Sequence, residues 1–246
     1  MAATWELILA LAAVLTILFL LNEWISRHIQ GIGLLITGHS EGGMVLIWLI
    51  LLPGIVLHEV SHWITAHLLG LHPSQLRVWP ERRGKLVRMG YVDFRAGGPL
   101  RESLVGLAPF LTGCAVLLGI ATQVFGLDEQ MSWQGAIQSV LGGLHQSDLW
   151  LFAYLIFTVS NGMMPSTSDR RAWGSLLLYM LVMALSLYAL DLLPALPPET
   201  LTLWLRRAQV LVYALGLAIA IDLPIALGVG IVELALSTFK GQRVIY

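Results

Sequence analysis

The sequence predicts an all-α membrane protein of about six transmembrane helices, with a small cytoplasmic β-hairpin and a single domain over residues 1–246. Composition is the first reason: 57% of the 246 residues are hydrophobic and 12% charged, against about 25% charged in soluble domains. The second is that apolar runs approaching ~20 residues, the length that crosses a bilayer, recur along the chain. The third is an uneven division of Lys and Arg among the loops between those runs. Mean hydropathy is +0.78, which excludes a disordered chain, a coiled coil and an ordinary soluble domain. A net charge of −1 leaves no basic footprint for nucleic acid, so the bilayer itself is the expected partner. The single cysteine, Cys114, excludes an intramolecular disulfide and a Cys-rich metal site.

The first expected span is Leu7–Leu21. Trp5 and Trp24 flank it about 28 Å apart at ~1.5 Å per residue, matching two membrane interfaces. No Lys or Arg precedes Leu7, so a retained span is expected rather than a signal peptide. The second runs from Met44 to Leu69, with Pro53-Gly54 inside it; Pro53 lacks an N–H and is expected to bend the helix. The third covers Leu100–Gly126, the fifth Ala172–Leu193 and the sixth Ala208–Phe239. The fourth, Leu149–Ser160, reaches only about 18 Å, short of the ~30 Å of hydrocarbon.

Residues 71–98 mix basic residues with Val, Tyr, Phe and Trp. A Pro80…Gly84 turn between Leu76–Trp79 and Lys85–Phe94 reads as the cytoplasmic hairpin. Residues 127–147 contain an amphipathic stretch, expected as a helix on the membrane interface. A cytoplasmic amino terminus leaves only Arg27, Arg206 and Arg207 on the outer side. This predicts a multi-pass protein of the cell membrane with both termini cytoplasmic.

Within the second span stands His58-Glu59-Val60-Ser61-His62. Positions i and i+4 share a helix face, so both imidazoles reach one metal ion, and Glu59 falls beside the open coordination position. This is the H-E-x-x-H arrangement of zinc hydrolases. Ionisable groups in hydrocarbon cost about 2.5–3.5 kcal/mol each on insertion scales, so they are seldom idle. The alternative is a polar knot of two histidines bonded to backbone or to Glu59. Of the remaining histidines, His28, His39, His67, His72 and His145, His67 is near in sequence, but i+5 from His62 puts it on a different helix face.

A catalytic zinc needs a third protein ligand, and depth selects it. The chain leaves its short fourth helix part-way across the membrane, in Asn161-Gly-Met-Met-Pro165-Ser-Thr-Ser-Asp169. Irregular backbone at that depth is tolerated only in protein or facing a watery cavity. Asp169 is the expected third ligand. Its competing role is to cap the fifth helix together with Ser168, and Asp222, mid-way along the sixth span, is its rival as ligand.

From residue 44 to residue 171 the chain resembles the site-2 protease family of intramembrane zinc metalloproteases. The likeness rests on His58-Glu59-x-x-His62 within a span, the broken helix Asn161…Pro165…Asp169, and Gly97-Gly98-Pro99-Leu100 at the start of the third span. It implies a zinc endopeptidase with one Zn²⁺ per chain, acting on transmembrane segments of other membrane proteins. His58, His62 and Asp169 would hold the metal. Glu59 would serve as base and then acid, with metal chemistry lowering the pKa of water and polarising the scissile carbonyl. Asn161 would hydrogen-bond the substrate backbone, and the edge of residues 85–95 would pair with the unwound substrate. No PDZ or nucleotide-sensing domain is expected. Arg170-Arg171 stand where the family has glycine after the aspartate, and they motivate the alternative of a non-catalytic metal-binding relative acting as a membrane subunit or scaffold.

Overall fold

The computed structural model describes residues 2–83, 86–88, 90–143, 145, 147–192, 197–242 and 244. Its helices are α1 (Ala2–Thr37), α2 (Ser40–Leu68), α3 (Pro99–Gln123), α4 (Trp133–Gly143), α5 (Leu149–Gly162), α6 (Trp173–Ala189) and α7 (Pro198–Lys240), with a 3₁₀ turn at Asp169–Ala172. Five of the helical stretches are long and apolar enough to cross a membrane: Thr4–Thr37, Glu41–Leu68, Pro99–Gln123, Asp169–Ala189 and Glu199–Lys240. The expected count of six is not confirmed. The fourth run forms α5, whose 14 residues reach about 21 Å.

The expected end of the first span near Trp24 is also corrected. α1 continues without interruption to Thr37, because its polar residues satisfy one another along the helix. Arg27 pairs with Glu23 one turn earlier, and the Trp24 and His28 rings stack with centroids 3.7 Å apart. α1 then reverses through Gly38 and His39, where Thr37 Oγ1 donates to Gly33 O at 2.8 Å and accepts from His39 N at 3.3 Å. Gly33 and Gly43 let the two backbones touch at this tip, since a Cβ on Gly33 would meet the Gly43 backbone. In lipid such close packing, rather than water exclusion, is what holds helices together.

α1 and α7 run in the same direction. Lys240 Nζ donates to Leu35 O and Ile36 O, serving carbonyls at the C-terminal end of α1 that lack intrahelical donors. Further along, His28 Nε2 lies 3.8 Å from Glu233 Oε2. The amino terminus and the C-terminal end of α7 therefore lie at opposite ends of this pair. The expectation of both termini on one face rested on an even number of spans, and the parallel pairing does not supply one.

Two clusters make the interior. Ile25 and Ile29 of α1 meet Ile47, Trp48 and Leu51 of α2, Phe157 of α5 and Ala226 of α7. Leu117 and Ala121 of α3 meet Ile156 and Val159 of α5 and Leu215 and Ala218 of α7. α6 buries none of its described residues and packs mainly against α3 and the 3₁₀ turn among the described elements.

The expected hairpin is not confirmed. Among the described residues, strand pairing joins Glu81–Arg83 to Leu86–Arg88 (β1 and β2), antiparallel with Arg82 opposite Val87. Arg77 and Tyr91 form an isolated bridge, and Ser74 N donates to Asp93 O at 2.7 Å and Arg95 N to Leu71 O at 2.9 Å. Leu76–Trp79 forms no continuous arm, and Gly84 and Lys85 of the expected turn and second arm lie outside the described residues, as does Leu193 of the fifth span. Two indoles of α2 also fasten the segment: Trp48 Nε1 donates to Val78 O at 2.7 Å and Trp63 Nε1 to Ser74 O at 3.2 Å. The amphipathic stretch of 127–147 is helical over Trp133–Gly143.

Candidate metal centre

α2 and α5 lie side by side in the same direction. Tyr154 Oη donates to Ile50 O at 3.1 Å, and His58 Nδ1 donates to Gly162 O at 2.8 Å. Between these contacts the backbones touch: a Cβ on Gly54 would strike Thr158 O, and one on Gly162, at the second contact, would lie 2.6 Å from Gly54 C. Pro53, inside an unbroken α2, thus precedes the closest point of this crossing.

α3 approaches the other side of α2. Val105 O accepts from His62 Nδ1 at 2.8 Å. Each ring therefore gives its Nδ1 proton to a backbone carbonyl, which can only accept. In the neutral ring this leaves Nε2 as a bare lone pair, the arrangement that outer partners impose on metal-binding histidines. The two Nε2 atoms face each other at 3.1 Å.

Asp169 completes the group. Its Oδ1 lies 3.2 Å from His62 Nε2 and its Oδ2 3.5 Å from His58 Nε2. The loop after α5 holds it there by a reciprocal pair of bonds, Ser166 N to Asp169 Oδ2 at 2.7 Å and Asp169 N to Ser166 Oγ at 3.3 Å. This has the form of a capping box, so the aspartate caps the turn and faces the histidines at once. Gly106 of α3 makes the approach possible, since a Cβ there would collide with Asp169 O.

His58, His62 and Asp169 form the group that can hold a metal ion among the described residues, with one ligand atom from each within 4.8 Å of the others. The chemistry of the set fits zinc. Two imidazole nitrogens 3.1 Å apart, each with a different oxygen of one carboxylate at 3.2 or 3.5 Å, supply the nitrogen and oxygen donors that zinc takes. Two imidazole nitrogens and a carboxylate facing one another form a donor set that a divalent cation satisfies. Asp222 is not in this group; its oxygens accept from Ser160 Oγ at 3.3 Å and Asn161 Nδ2 at 3.2 Å.

Glu59 lies beside the group, 8% exposed, and its buried Oε2 has no hydrogen-bond partner among the described residues. A buried carboxylate oxygen without a donor is costly in a structural role and suited to receiving a proton. Gly90 passes directly over it: a Cβ at that position would lie 2.9 Å from Glu59 Oε1. A cavity of about 600 Å³ opens onto His58, Glu59, His62 and Asp169, with Phe19, Asn22 and Ser26 of α1 and Gly90–Val92 among its walls.

Asn161 also lines this cavity, but it is largely engaged. Its Nδ2 donates to Phe157 O at 2.8 Å and to Asp222, while its Oδ1 accepts from Asn22 Nδ2 at 3.2 Å. The sequence reading missed Asn22, Gly90 and Gly106. Asn22 directly follows the apolar run Leu7–Leu21 and, beside Glu23 and Trp24, reads as part of an interface; the two glycines carried no signal, because their neighbours come from distant segments. No protein-family model, curated protein or solved structure matches this chain.

Proposed function

We propose that the chain is an intramembrane zinc endopeptidase that hydrolyses peptide bonds in transmembrane segments of other membrane proteins. One observation carries the reading: two bare imidazole nitrogens and a carboxylate converge next to a buried glutamate oxygen that has no donor. His58, His62 and Asp169 would hold one Zn²⁺ per chain. When bound, the metal supplies Lewis-acid polarisation of a carbonyl and makes water acidic near neutral pH.

The protein's own groups do the rest. Glu59 takes a proton from the attacking water and returns it to the leaving amine nitrogen, as base and then acid. Its burial beside the cavity removes competing solvent and keeps the carboxylate within reach of that water. Val105 O and Gly162 O hold both rings in the Nδ1–H tautomer throughout. Asn161 Oδ1, which accepts one described bond and has a second lone pair, would receive a backbone N–H of the unwound substrate. The protein is assigned to the cell membrane with its amino terminus and the basic segment 71–98 cytoplasmic, by the distribution of Lys and Arg.

The experiment is cleavage of a single-span substrate by the purified full-length chain in proteoliposomes, comparing Glu59→Gln with wild type. The substitution is expected to lower the rate about 10²–10⁴-fold while bound zinc stays near one per chain. Full-rate cleavage by Glu59→Gln contradicts the assignment of the base. Zinc bound by wild type without cleavage of any single-span substrate favours a metal-binding subunit or scaffold instead.

A further inference from the structure

We propose that Asp222 is a positioning residue of the metal centre: from α7 it anchors the last turn of α5, whose Gly162 carbonyl orients His58. The inference rests on the metal-site reading above and concerns a residue that reading does not use. Asp222 is 1% exposed, and an acid so deep among apolar helices is costly unless its acceptors are filled. The donors facing them are Asn161 Nδ2 at 3.2 Å and Ser160 Oγ, which lies 3.3 Å from both oxygens and shares its single proton with Phe157 O at 3.0 Å. Those are the two residues immediately before Gly162.

The opposite side of the same turn is held from α1. Asn22 Nδ2 donates to Asn161 O at 2.9 Å and to Asn161 Oδ1 at 3.2 Å. Asn161 O and Gly162 O are consecutive carbonyls at the end of α5, where intrahelical donors run out. One goes to Asn22 and the other to His58 Nδ1, at 2.8 Å. A clamp meant only to join α5 and α7 has the whole of α5 to use. This one falls on the turn whose carbonyl sets a ligand's tautomer and ring plane. The sequence made Asp222 a rival ligand; the geometry places it behind the ligand as support.

The test uses the full-length chain in detergent micelles, stripped of metal and titrated with Co²⁺, whose visible absorption reports coordination geometry. Asp222→Ala is expected to weaken Co²⁺ binding about 10–100-fold, the range for losing an outer partner of a ligand, and to shift the absorption bands. Asp222→Asn, which keeps an acceptor for Ser160, is expected to restore both. Asp222→Ala with wild-type affinity and bands overturns the proposal. Should Asp222→Ala not fold, Ser160→Ala removes a donor while leaving α7 intact; weaker Co²⁺ binding with shifted bands supports the role, and unchanged binding overturns it. His62→Ala distinguishes the two levels of inference. It is expected to abolish the Co²⁺ bands, and their persistence overturns the metal site itself along with the role of Asp222.

Discussion

Asp169 Oδ1 stands 3.2 Å from His62 Nε2, although the two residues belong to segments separated by the whole of α3, α4 and α5. That juxtaposition makes a metal ligand set from a helix motif and a loop. Asp169→Ala leaves two imidazoles, and zinc affinity is expected to fall by more than the ~100-fold that marks loss of an outer partner. Metal analysis after competition with a chelator checks this; undiminished zinc in the variant points to a different third ligand.

Gly106 sets how near α3 comes to that aspartate. Gly106→Val places a branched side chain where Asp169 O now lies. It is expected to destabilise the fold by about 1–3 kcal/mol, the range for overpacking, and to weaken metal binding with it. Thermal unfolding and a zinc titration on the same preparation read both effects. A stable variant with full zinc affinity would show that Asp169 does not need this approach of α3.

The histidine pair of the candidate site is legible in the sequence because it is local. His58 and His62 are one turn apart on any helix, and the short run ending at Ser160 marks the break after which Asp169 follows. What the sequence hides is set by packing between distant segments. The tight contacts of Gly54 with Thr158 and of Gly106 with Asp169 have no periodicity to announce them. The length of α1 was hidden for another reason: Glu23, Trp24, Arg27 and His28 look like an interface in a linear reading but pair along one helix. The role of Asp222 requires knowing that α7 passes behind α5.

The segment after α2 is tied down by the indole of Trp48, which donates to Val78 O. Trp48→Phe removes the donor and keeps most of the ring. Loss of one such bond is worth about 1 kcal/mol, so amides of residues 74–79 are expected to exchange about fivefold faster. Hydrogen exchange with peptide-level resolution checks it, and unchanged protection there would mean the segment is held elsewhere.

α6 and α7 should respond differently to truncation. Leu215 of α7 is fully buried, whereas Leu181 of α6 is 57% exposed. Leu215→Ala is expected to cost about 2 kcal/mol or more through the cavity it leaves, and Leu181→Ala less than about 0.5 kcal/mol. Thermal unfolding of the two variants in the same detergent makes the comparison. Equal losses would mean that α6 is covered in the folded protein.

The central claim is that His58, His62 and Asp169 grip one ion. Zinc-edge X-ray absorption on the purified full-length chain measures that directly. The account predicts about one zinc per chain with nitrogen and oxygen neighbours at about 2.0–2.2 Å, two of them imidazoles. A substoichiometric metal, or a shell without imidazole scattering, contradicts it.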